Sequence, residues 1–333
     1  MFKSLWRFNN KKKRGDKMKK KKFLVMLIAS ALMLSSCNNT SSSTDPTTQA
    51  NNKTTEATSK KDSKQESTSN KETEVQTEAQ INVSFEEMTV VDNEECSIII
   101  SQIEPDNMWG YTIKVKLENK STDKEYMFSV QSAAINGVQS DPFFASSVSA
   151  GKKSNDTIQF SKSSLKGNDI GEFTDIELTF RVHDNNDWTA DEVAKETIHI
   201  YPYGKENSVL YVREPKETDT VIIDNEYVKA TVIGYEEDSI LGYTVNLFLE
   251  NKTDKEVMFS TDEVSVNGYM VDPFFADSVI PGKSAFSSIS WSKSTFTENS
   301  ISKVEEIEFL FKAYDNNDWL AEPFANENTT LKP

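Results

Sequence analysis

The feature that constrains this chain most is an internal duplication. A series of short motifs occurs twice, in the same order and with almost constant spacing. The offset between the two repeats is 132 residues up to Asn251 and 131 residues after Asp254, which places a one-residue deletion near Thr253. The paired motifs begin at Asp92 and Asp224, Gly110 and Gly242, Glu118 and Glu250, Asn136 and Asn267, Asp141 and Asp272, and Asp184 and Asp315. The chain therefore contains a tandem duplication of one folding unit.

Both repeats are predicted to be built from β-strands. From Tyr111 to Leu117 apolar residues alternate with polar ones, and this period of two is typical of a strand with one buried face. The same alternation occupies 176–182, 243–249 and 307–313. Asn-Gly pairs at 136–137 and 267–268 predict hairpins, because both central turn residues take positive φ. No stretch of either repeat has a convincing helical period.

Short strands with frequent turns predict an all-β fold. We expect two tandem immunoglobulin-like antiparallel β-sandwiches, one over residues 82–203 and one over residues 219–333, with six or seven strands in each. A small closed barrel is the alternative. Residues 204–218 are predicted to be a short, stiff connector. Residues 204–207 separate a strand at 197–201 from a strand at 209–213, so the two domains should keep a limited set of orientations.

Residues 1–36 have the organisation of a signal peptide. Four lysines at 19–22 precede an apolar run from Phe23 to Leu34, which is short for a permanent membrane-spanning helix and typical of a secretory leader. A second basic cluster lies upstream, and Met18 is an alternative to Met1 as the true start.

The segment Leu34-Ser35-Ser36-Cys37 resembles the lipobox of bacterial lipoproteins. That resemblance implies cleavage before Cys37 and a diacylglyceryl group on its thiol, and two acyl chains suffice for stable anchoring. It also implies an extracytoplasmic location, with the protein lipid-anchored to the outer face of the bacterial cell membrane. An ordinary signal peptide with an accidental cysteine at position 37 is the alternative.

Residues 37–81 are predicted to form a disordered tether. The segment is dominated by Ser, Thr, Asn, Lys, Glu and Gln and has no aromatic residue. It therefore has too little apolar surface to offset the entropy lost on ordering.

The part of the chain after the leader is strongly acidic. Residues 1–36 hold eleven of the 37 basic residues and one of the 53 acidic residues, which leaves 26 basic and 52 acidic residues, a net charge of −26. Such a charge repels nucleic acid and anionic lipid headgroups, so no nucleic-acid partner is expected.

The duplicated part also resembles a known family. The order Asp-Asn, Gly-Tyr-Thr, Glu-Asn-Lys, Val-Asn-Gly, Asp-Pro-Phe-Phe and Gly-Lys is similar to that of the immunoglobulin-like domains of unknown function found in Gram-positive surface lipoproteins. The resemblance covers nearly all of residues 88–333. It implies an extracellular, lipid-anchored β-sandwich and supplies no catalytic residues.

The last long strand of each repeat is followed by Asp-Asn-Asn-Asp-Trp. Carboxylate and amide oxygens this closely spaced are typical ligands of Ca²⁺, so the candidate metal ligands are Asp184, Asp187, Asp315 and Asp318. The alternative is that Asp and Asn cap a turn through side-chain-to-backbone hydrogen bonds, while Trp188 and Trp319 cover the edge of the core. No other cofactor is expected.

Each repeat also contains Asp-Pro-Phe-Phe. Adjacent residues on a strand point to opposite faces, so one Phe of each pair is predicted to lie in the core. The other is available to a partner, which makes Phe143, Phe144, Phe274 and Phe275 the candidate partner contacts. Core or edge cover for both members of a pair is the alternative.

The sequence favours a protein that is not an enzyme. His183 and His199 correspond to Tyr314 and Thr330 in the second repeat, so neither histidine is repeated. No serine lies in a nucleophile elbow, and there is no Gly-rich phosphate loop. Cys96 lies in an apolar stretch and is predicted to be a buried small hydrophobe.

These features predict a cell-surface, lipid-anchored protein with a non-catalytic interaction or envelope-structural role. Its anchor at Cys37 contacts the membrane, and its expected partner is an envelope or surface protein or polymer. Two tandem copies would raise avidity for a repetitive partner. The alternative is a ligand- or ion-binding accessory lipoprotein of a transporter or sensor, with Ca²⁺ at the Asp-Asn-Asn-Asp-Trp loops.

Overall fold

A computed structural model of the chain describes residues 83, 85–108, 110–142, 144–161, 170–187, 189–318 and 320–333. The predictions for the leader, for Cys37 and its tether, and for Phe143, Trp188 and Trp319 lie outside the described residues. Within those ranges the structure is almost entirely β, and no helix is long and apolar enough to cross a membrane.

Each repeat contributes nine strands to the described part, more than the six or seven expected. Those of the first repeat are β1 (Met88–Asp92), β2 (Cys96–Asn107), β3 (Gly110–Asn119), β4 (Tyr126–Ile135), β5 (Val138–Gln139), β6 (Ala145–Val148), β7 (Lys153–Ser161), β8 (Ile176–Asp184) and β9 (Ala194–Ile200). Those of the second are β10 (Thr220–Asp224), β11 (Val228–Ser239), β12 (Gly242–Asn251), β13 (Val257–Val266), β14 (Tyr269–Met270), β15 (Ala276–Val279), β16 (Ser284–Trp291), β17 (Ile307–Asp315) and β18 (Ala325–Leu331).

These strands form three open sheets. The first has the order β1-β2-β3-β7. The second has the order β10-β11-β12-β16-β5-β4-β8-β9, with β6 paired to β4, and the third has the order β14-β13-β17-β18, with β15 paired to β13. Pairing within each repeat is antiparallel, as predicted, and the closed-barrel alternative is wrong.

Two hydrophobic cores lie between these sheets. The first core contains Ile98 and Ile113 from the first sheet and Phe128 and Phe180 from the second sheet, all buried. The second core is formed in the same way by Leu247, Trp291, Phe259 and Phe311. The alternating residues of the sequence thus supply the facing layers of each core.

The Asn-Gly hairpins are confirmed. Asn136 and Gly137 have φ values of 51° and 83°, and the turn joins β4 to β5. Asn267 and Gly268 have φ values of 51° and 78° and join β13 to β14. Both residues of each pair therefore occupy the left-handed region that a two-residue hairpin turn requires.

Two local features differ from the sequence predictions. A short helix, α1 (Lys293–Glu298), follows β16, and its N-terminus is capped by the Ser292 hydroxyl, which accepts a hydrogen bond from the Thr295 N–H at 3.1 Å. Six residues are too few to show a helical period. Residues 209–213 are not a strand: the Tyr211 N–H donates to the Asn136 carbonyl of a turn, at 2.8 Å, and joins no ladder.

Backbone and side-chain hydrogen bonds join the two repeats. The Ser284 N–H donates to the Gly137 carbonyl at 3.0 Å, which makes β16 and β5 a parallel pair. The Gln139 amide donates to the Ser278 carbonyl at 2.7 Å and accepts from the Ile280 N–H at 2.9 Å. The β4–β5 hairpin of the first repeat therefore contacts the β15–β16 turn of the second.

Packing by the connector and one ion pair add to this junction. The Tyr211 ring centroid lies 6.3 Å from that of Phe248 and 6.0 Å from that of Phe286. Phe286 belongs to the second repeat but packs against the first core. Lys283 Nζ lies 2.5 Å from Glu177 Oε2 across the junction, where both side chains are mostly buried.

Candidate functional site

The Asp-Asn-Asn-Asp-Trp loops follow β8 and β17, and their first aspartates act as turn caps. Asp184 Oδ1 accepts a hydrogen bond from the Asn186 N–H at 3.0 Å. Asp315 Oδ1 accepts from the Asn317 N–H at 2.9 Å. One oxygen of each of these carboxylates is therefore engaged by the backbone of its own loop.

The second aspartates cap the next turn. Asp187 Oδ1 accepts from the Thr189 hydroxyl at 2.6 Å and from its N–H at 3.1 Å. The hydroxyl contact is the main reason that the pKa of Asp187 lies below its ordinary value. Asp318 Oδ1 accepts from the Leu320 N–H at 3.3 Å.

A lysine occupies the remaining space beside each loop. Lys255 Nζ lies 2.7 Å from Asp315 Oδ2, and this hydrogen bond lowers the pKa of that carboxyl. Lys124 Nζ lies 3.7 Å from Asp184 Oδ2. Among the described residues there is no group of three or more His, Cys, Asp or Glu side chains that could hold a metal ion. The capping contacts of the alternative interpretation are present, and Ca²⁺ binding by the four aspartates stays a prediction.

The Asp-Pro-Phe-Phe segments separate buried from exposed aromatic rings. Phe144 is buried against the first core. Phe275 packs against the second core, and its ring stacks on Phe311 with a centroid distance of 6.3 Å. Phe274 is 71% exposed, yet its backbone is fixed by hydrogen bonds to and from Ser290, at 2.7 and 3.2 Å. Of the three described candidates, Phe274 is the one accessible to a partner.

Other exposed apolar side chains lie at the same end of the second repeat as Phe274. Ile240 and Leu241 form the two-residue turn between β11 and β12. Ile240 is fully exposed, and Leu241 is 58% exposed. Tyr269 and Met270 form β14 and are 51% and 68% exposed. Residues Ile240, Leu241, Tyr269, Met270 and Phe274 define what we call the distal end, opposite the β15–β16 turn that contacts the first repeat.

The corresponding positions of the first repeat differ in their surroundings. Val138 and Gln139 correspond to Tyr269 and Met270, and they lie in the junction, where Val138 is fully buried. Met108 corresponds to Ile240 and is 79% exposed. The edge that is covered in the first repeat is therefore uncovered in the second.

A groove of about 370 Å³ runs beside the connector. Its apolar wall is formed by Tyr211, Val221 and Phe248, and Lys229 lies on its polar side. Arg213 forms a bidentate pair with Asp219, with N–O distances of 2.7 and 2.9 Å, which fixes the connector along this groove.

Three further reactive side chains, Cys96, His183 and His199, lie among the described residues. Cys96 is fully buried, as predicted, and burial raises the pKa of its thiol to about 11. His199 Nδ1 lies 2.8 Å from Asp175 Oδ1. Burial lowers the pKa of His183, whose Nδ1 has no hydrogen-bond partner.

Sequence reasoning missed the distal end except for Phe274. A usable pattern was present: the two-residue turn Ile240-Leu241 carries large apolar residues where Asn, Asp or Gly is usual. The exposure of Tyr269 and Met270 had no such pattern, because the equivalent residues of the first repeat lie in the junction.

No protein-family model and no curated protein matches the chain. A transglutaminase from red sea bream has 9% identity and a TM-score of 0.22, over 73% of this chain and 31% of that chain. The YadV chaperone has 12% identity and a TM-score of 0.21, over 66% of this chain and 92% of that chain. The exo-chitosanase CsxA of Amycolatopsis orientalis has 11% identity and a TM-score of 0.20, over 70% of this chain and 26% of that chain. Similarities this low assign no function.

Proposed function

We propose that this chain is a lipid-anchored surface protein that binds a partner without catalysis. In this proposal Cys37 carries the diacylglyceryl anchor on the outer face of the bacterial membrane, and residues 37–81 form the tether. The two repeats are tandem immunoglobulin-like β-sandwich domains. The distal end of the second domain is the binding surface.

The observation that carries this proposal is the group of five exposed apolar side chains at the distal end. Large apolar residues at the distal end lie on two hairpins and on a segment whose backbone is hydrogen-bonded to β16. Solvent-exposed apolar surface of this kind marks interaction sites, because its burial against a partner is favourable. The Asp-Asn-Asn-Asp loops shared by both repeats, in contrast, are engaged in turn capping.

Charge restricts the class of partner. The net charge of −26 after residue 36 disfavours nucleic acid and anionic polymers that lack a basic patch. A surface protein with an apolar, neutral or basic contact area fits the distal end best.

The proposal is tested by capture from envelope extracts with the chain from residue 38 onward. We expect the pair of substitutions Ile240→Ser and Phe274→Ser to abolish capture of a partner that the unmodified protein retains. Leu320→Ser is the matched control, since Leu320 is 96% exposed but follows the Asp-Asn-Asn-Asp-Trp loop at the other end of the repeat. Equal capture by all three proteins would contradict the proposal.

The connector groove favours a second candidate function, the binding of a small ligand for a transporter or sensor. Its volume and its mixed apolar and polar lining are in the range of ligand sites. Val221→Trp would fill the groove, so a ligand that raises the melting temperature of the unmodified protein should not raise that of the variant.

A further inference from the structure

The junction inside the chain is an example of how one repeat of this fold contacts another. The Gly137 carbonyl of the β4–β5 turn accepts a hydrogen bond from the Ser284 N–H, at 3.0 Å. Beside it, Glu177 Oε2 of β8 lies 2.5 Å from Lys283 Nζ. A backbone hydrogen bond and an ion pair thus belong to the contact, together with the two hydrogen bonds of the Gln139 side chain.

The chain carries a second set of the same groups, which do not meet within the molecule. The positions of Gly137 and Glu177 are taken by Gly268 and Glu308 at the distal end. A Cβ placed on Gly137 would meet the Leu210 side chain at 3.0 Å, whereas one placed on Gly268 meets nothing within 4 Å. Glu308 is exposed, and one of its oxygens accepts a hydrogen bond from the Ser265 hydroxyl at 3.2 Å.

The positions of Lys283 and Ser284 are taken in the first repeat by Lys152 and Lys153, both exposed. Lys153 of β7 lies opposite Glu118 of β3 in the antiparallel ladder, and the Asn119 N–H donates to the Lys152 carbonyl at 2.9 Å. Lys153 is therefore in a non-hydrogen-bonded pair of the antiparallel ladder, so its N–H points away from β3. The Ser284 N–H has the same orientation, and in the junction it donates to Gly137.

We propose that the distal end binds a second molecule of this chain, at the start of its β7. The Lys153 N–H of one molecule donates to the Gly268 carbonyl of the other, and Lys152 pairs with Glu308, as Lys283 pairs with Glu177. Because the two contacting surfaces differ, the contact repeats head to tail and builds a ring or an open filament instead of a two-fold dimer. The inference rests on the proposed binding role of the distal end and names its partner.

Differences between the repeats make this contact weaker than the junction. Phe248 and Phe286 of the junction correspond to Lys116 and Asn155 in the first repeat, and the connector residue Tyr211 has no counterpart after β18. The overall negative charge of each molecule also opposes association. Reversible assembly follows, and anchoring in one membrane would favour it by raising the effective concentration.

Sedimentation velocity on the chain from residue 38 onward, which retains every described residue, tests the inference. We expect the weight-average sedimentation coefficient to rise with concentration between about 10 and 500 µM, a range suited to weak contacts. Glu308→Lys and Lys152→Glu should each weaken association by about tenfold, and their combination should restore it. Glu327→Lys, at an exposed site on β18, is the matched control.

Lys153→Pro provides an independent variant, because proline removes the outward-pointing N–H of an edge strand. It also removes the exposed ion pair of Lys153 with Glu118, so Lys153→Ala, which removes that pair and keeps the N–H, is its control. The Lys153→Pro variant should not associate, while its circular dichroism spectrum stays that of the unmodified protein. If this variant does not fold, the substitutions at Glu308 and Lys152 test the inference by themselves. A monomer throughout the range, or a double charge exchange without recovery, would overturn the inference. A monomer that still captures an envelope partner through Phe274 would overturn it and leave the proposed function intact.

Discussion

At the scale of the residue, the side chains shared by both repeats are mainly structural. Asn251 is nearly fully buried, and its amide donates to the carbonyls of Lys255 and Val279 at 2.7 and 2.8 Å. Its oxygen accepts from the Thr253 N–H at 2.9 Å. Asn119 makes the equivalent contacts in the first repeat. The likeness between repeats therefore reflects the demands of buried turns.

The substitution Asn251→Ala removes the amide that donates to the Lys255 and Val279 carbonyls and the oxygen that accepts from the Thr253 N–H. We expect it to lower the free energy of unfolding by about 2 kcal/mol, the usual effect of unsatisfied buried polar groups. Urea denaturation measures this change. Asn326→Ala, at an exposed position of β18, should change stability by less than about 0.5 kcal/mol. Equal effects of the two substitutions would contradict this account of the motif.

The pair Asp315–Lys255 makes stability depend on pH. The Lys255 hydrogen bond holds the pKa of Asp315 below its unfolded value, so the pair stabilises the fold above that unfolded value, about 3.9. This stabilisation is lost as the pH falls through the lowered folded pKa. We expect Asp315→Asn to reduce the melting temperature near neutral pH and to have progressively less effect in acid. A change in melting temperature that does not depend on pH would refute this role of the Asp315–Lys255 pair. So would an equal change in Asp272→Asn, a substitution at an exposed site.

At the scale of the element, the same hairpin has two uses in one chain. In the first repeat the β4–β5 hairpin is an interface element, because the Gln139 side chain and the Gly137 carbonyl hydrogen-bond to the second repeat. In the second repeat the β13–β14 hairpin exposes Tyr269 and Met270. Duplication thus produced one covered and one uncovered version of an edge.

Loss of the junction contacts should free the two repeats from each other. We expect Gln139→Ala combined with Tyr211→Ser to broaden the distribution of inter-repeat distances measured by small-angle scattering, relative to the unmodified chain. Val212→Ser is the control, since the neighbouring Val212 side chain is 76% exposed. A distribution that is already broad in the unmodified protein would contradict the stiff junction.

At the scale of the whole molecule, two separate cores share one sheet. Phe286 connects them, because it lies on β16 of the second repeat and packs against the first core. The two repeats should therefore unfold in a coupled manner.

Phe286→Ala tests this coupling. We expect it to cost about 2 kcal/mol and to separate the thermal unfolding of the repeats into two calorimetric transitions. Phe274→Ala removes the same atoms from an exposed site and should leave the profile unchanged. One unaltered transition in the Phe286 variant would show that the cores are coupled by other contacts.

The sequence predicted the all-β class, and it predicted the candidate site only in part. Alternation and Asn-Gly turns are local signals, and they gave the strands and hairpins around Tyr111 and Asn136. The helix after Ser292 was not predicted, because a helix of six residues is too short to show a period. The irregular backbone at Tyr211 was not predicted either, because its N–H bonds to a carbonyl that is distant in the sequence. Phe274 was among the candidates, whereas Tyr269 was not.

What the sequence determined by itself is the duplication and the β character, since periodicity and turn chemistry act within a few residues along the chain. Only the tertiary structure decided which repeated positions are covered. Val138 and Tyr269 occupy equivalent places in their repeats, but one is buried by the junction and the other faces solvent. Burial of an edge depends on what packs across it, and that contact joins residues 139 positions apart, as between Gln139 and Ser278.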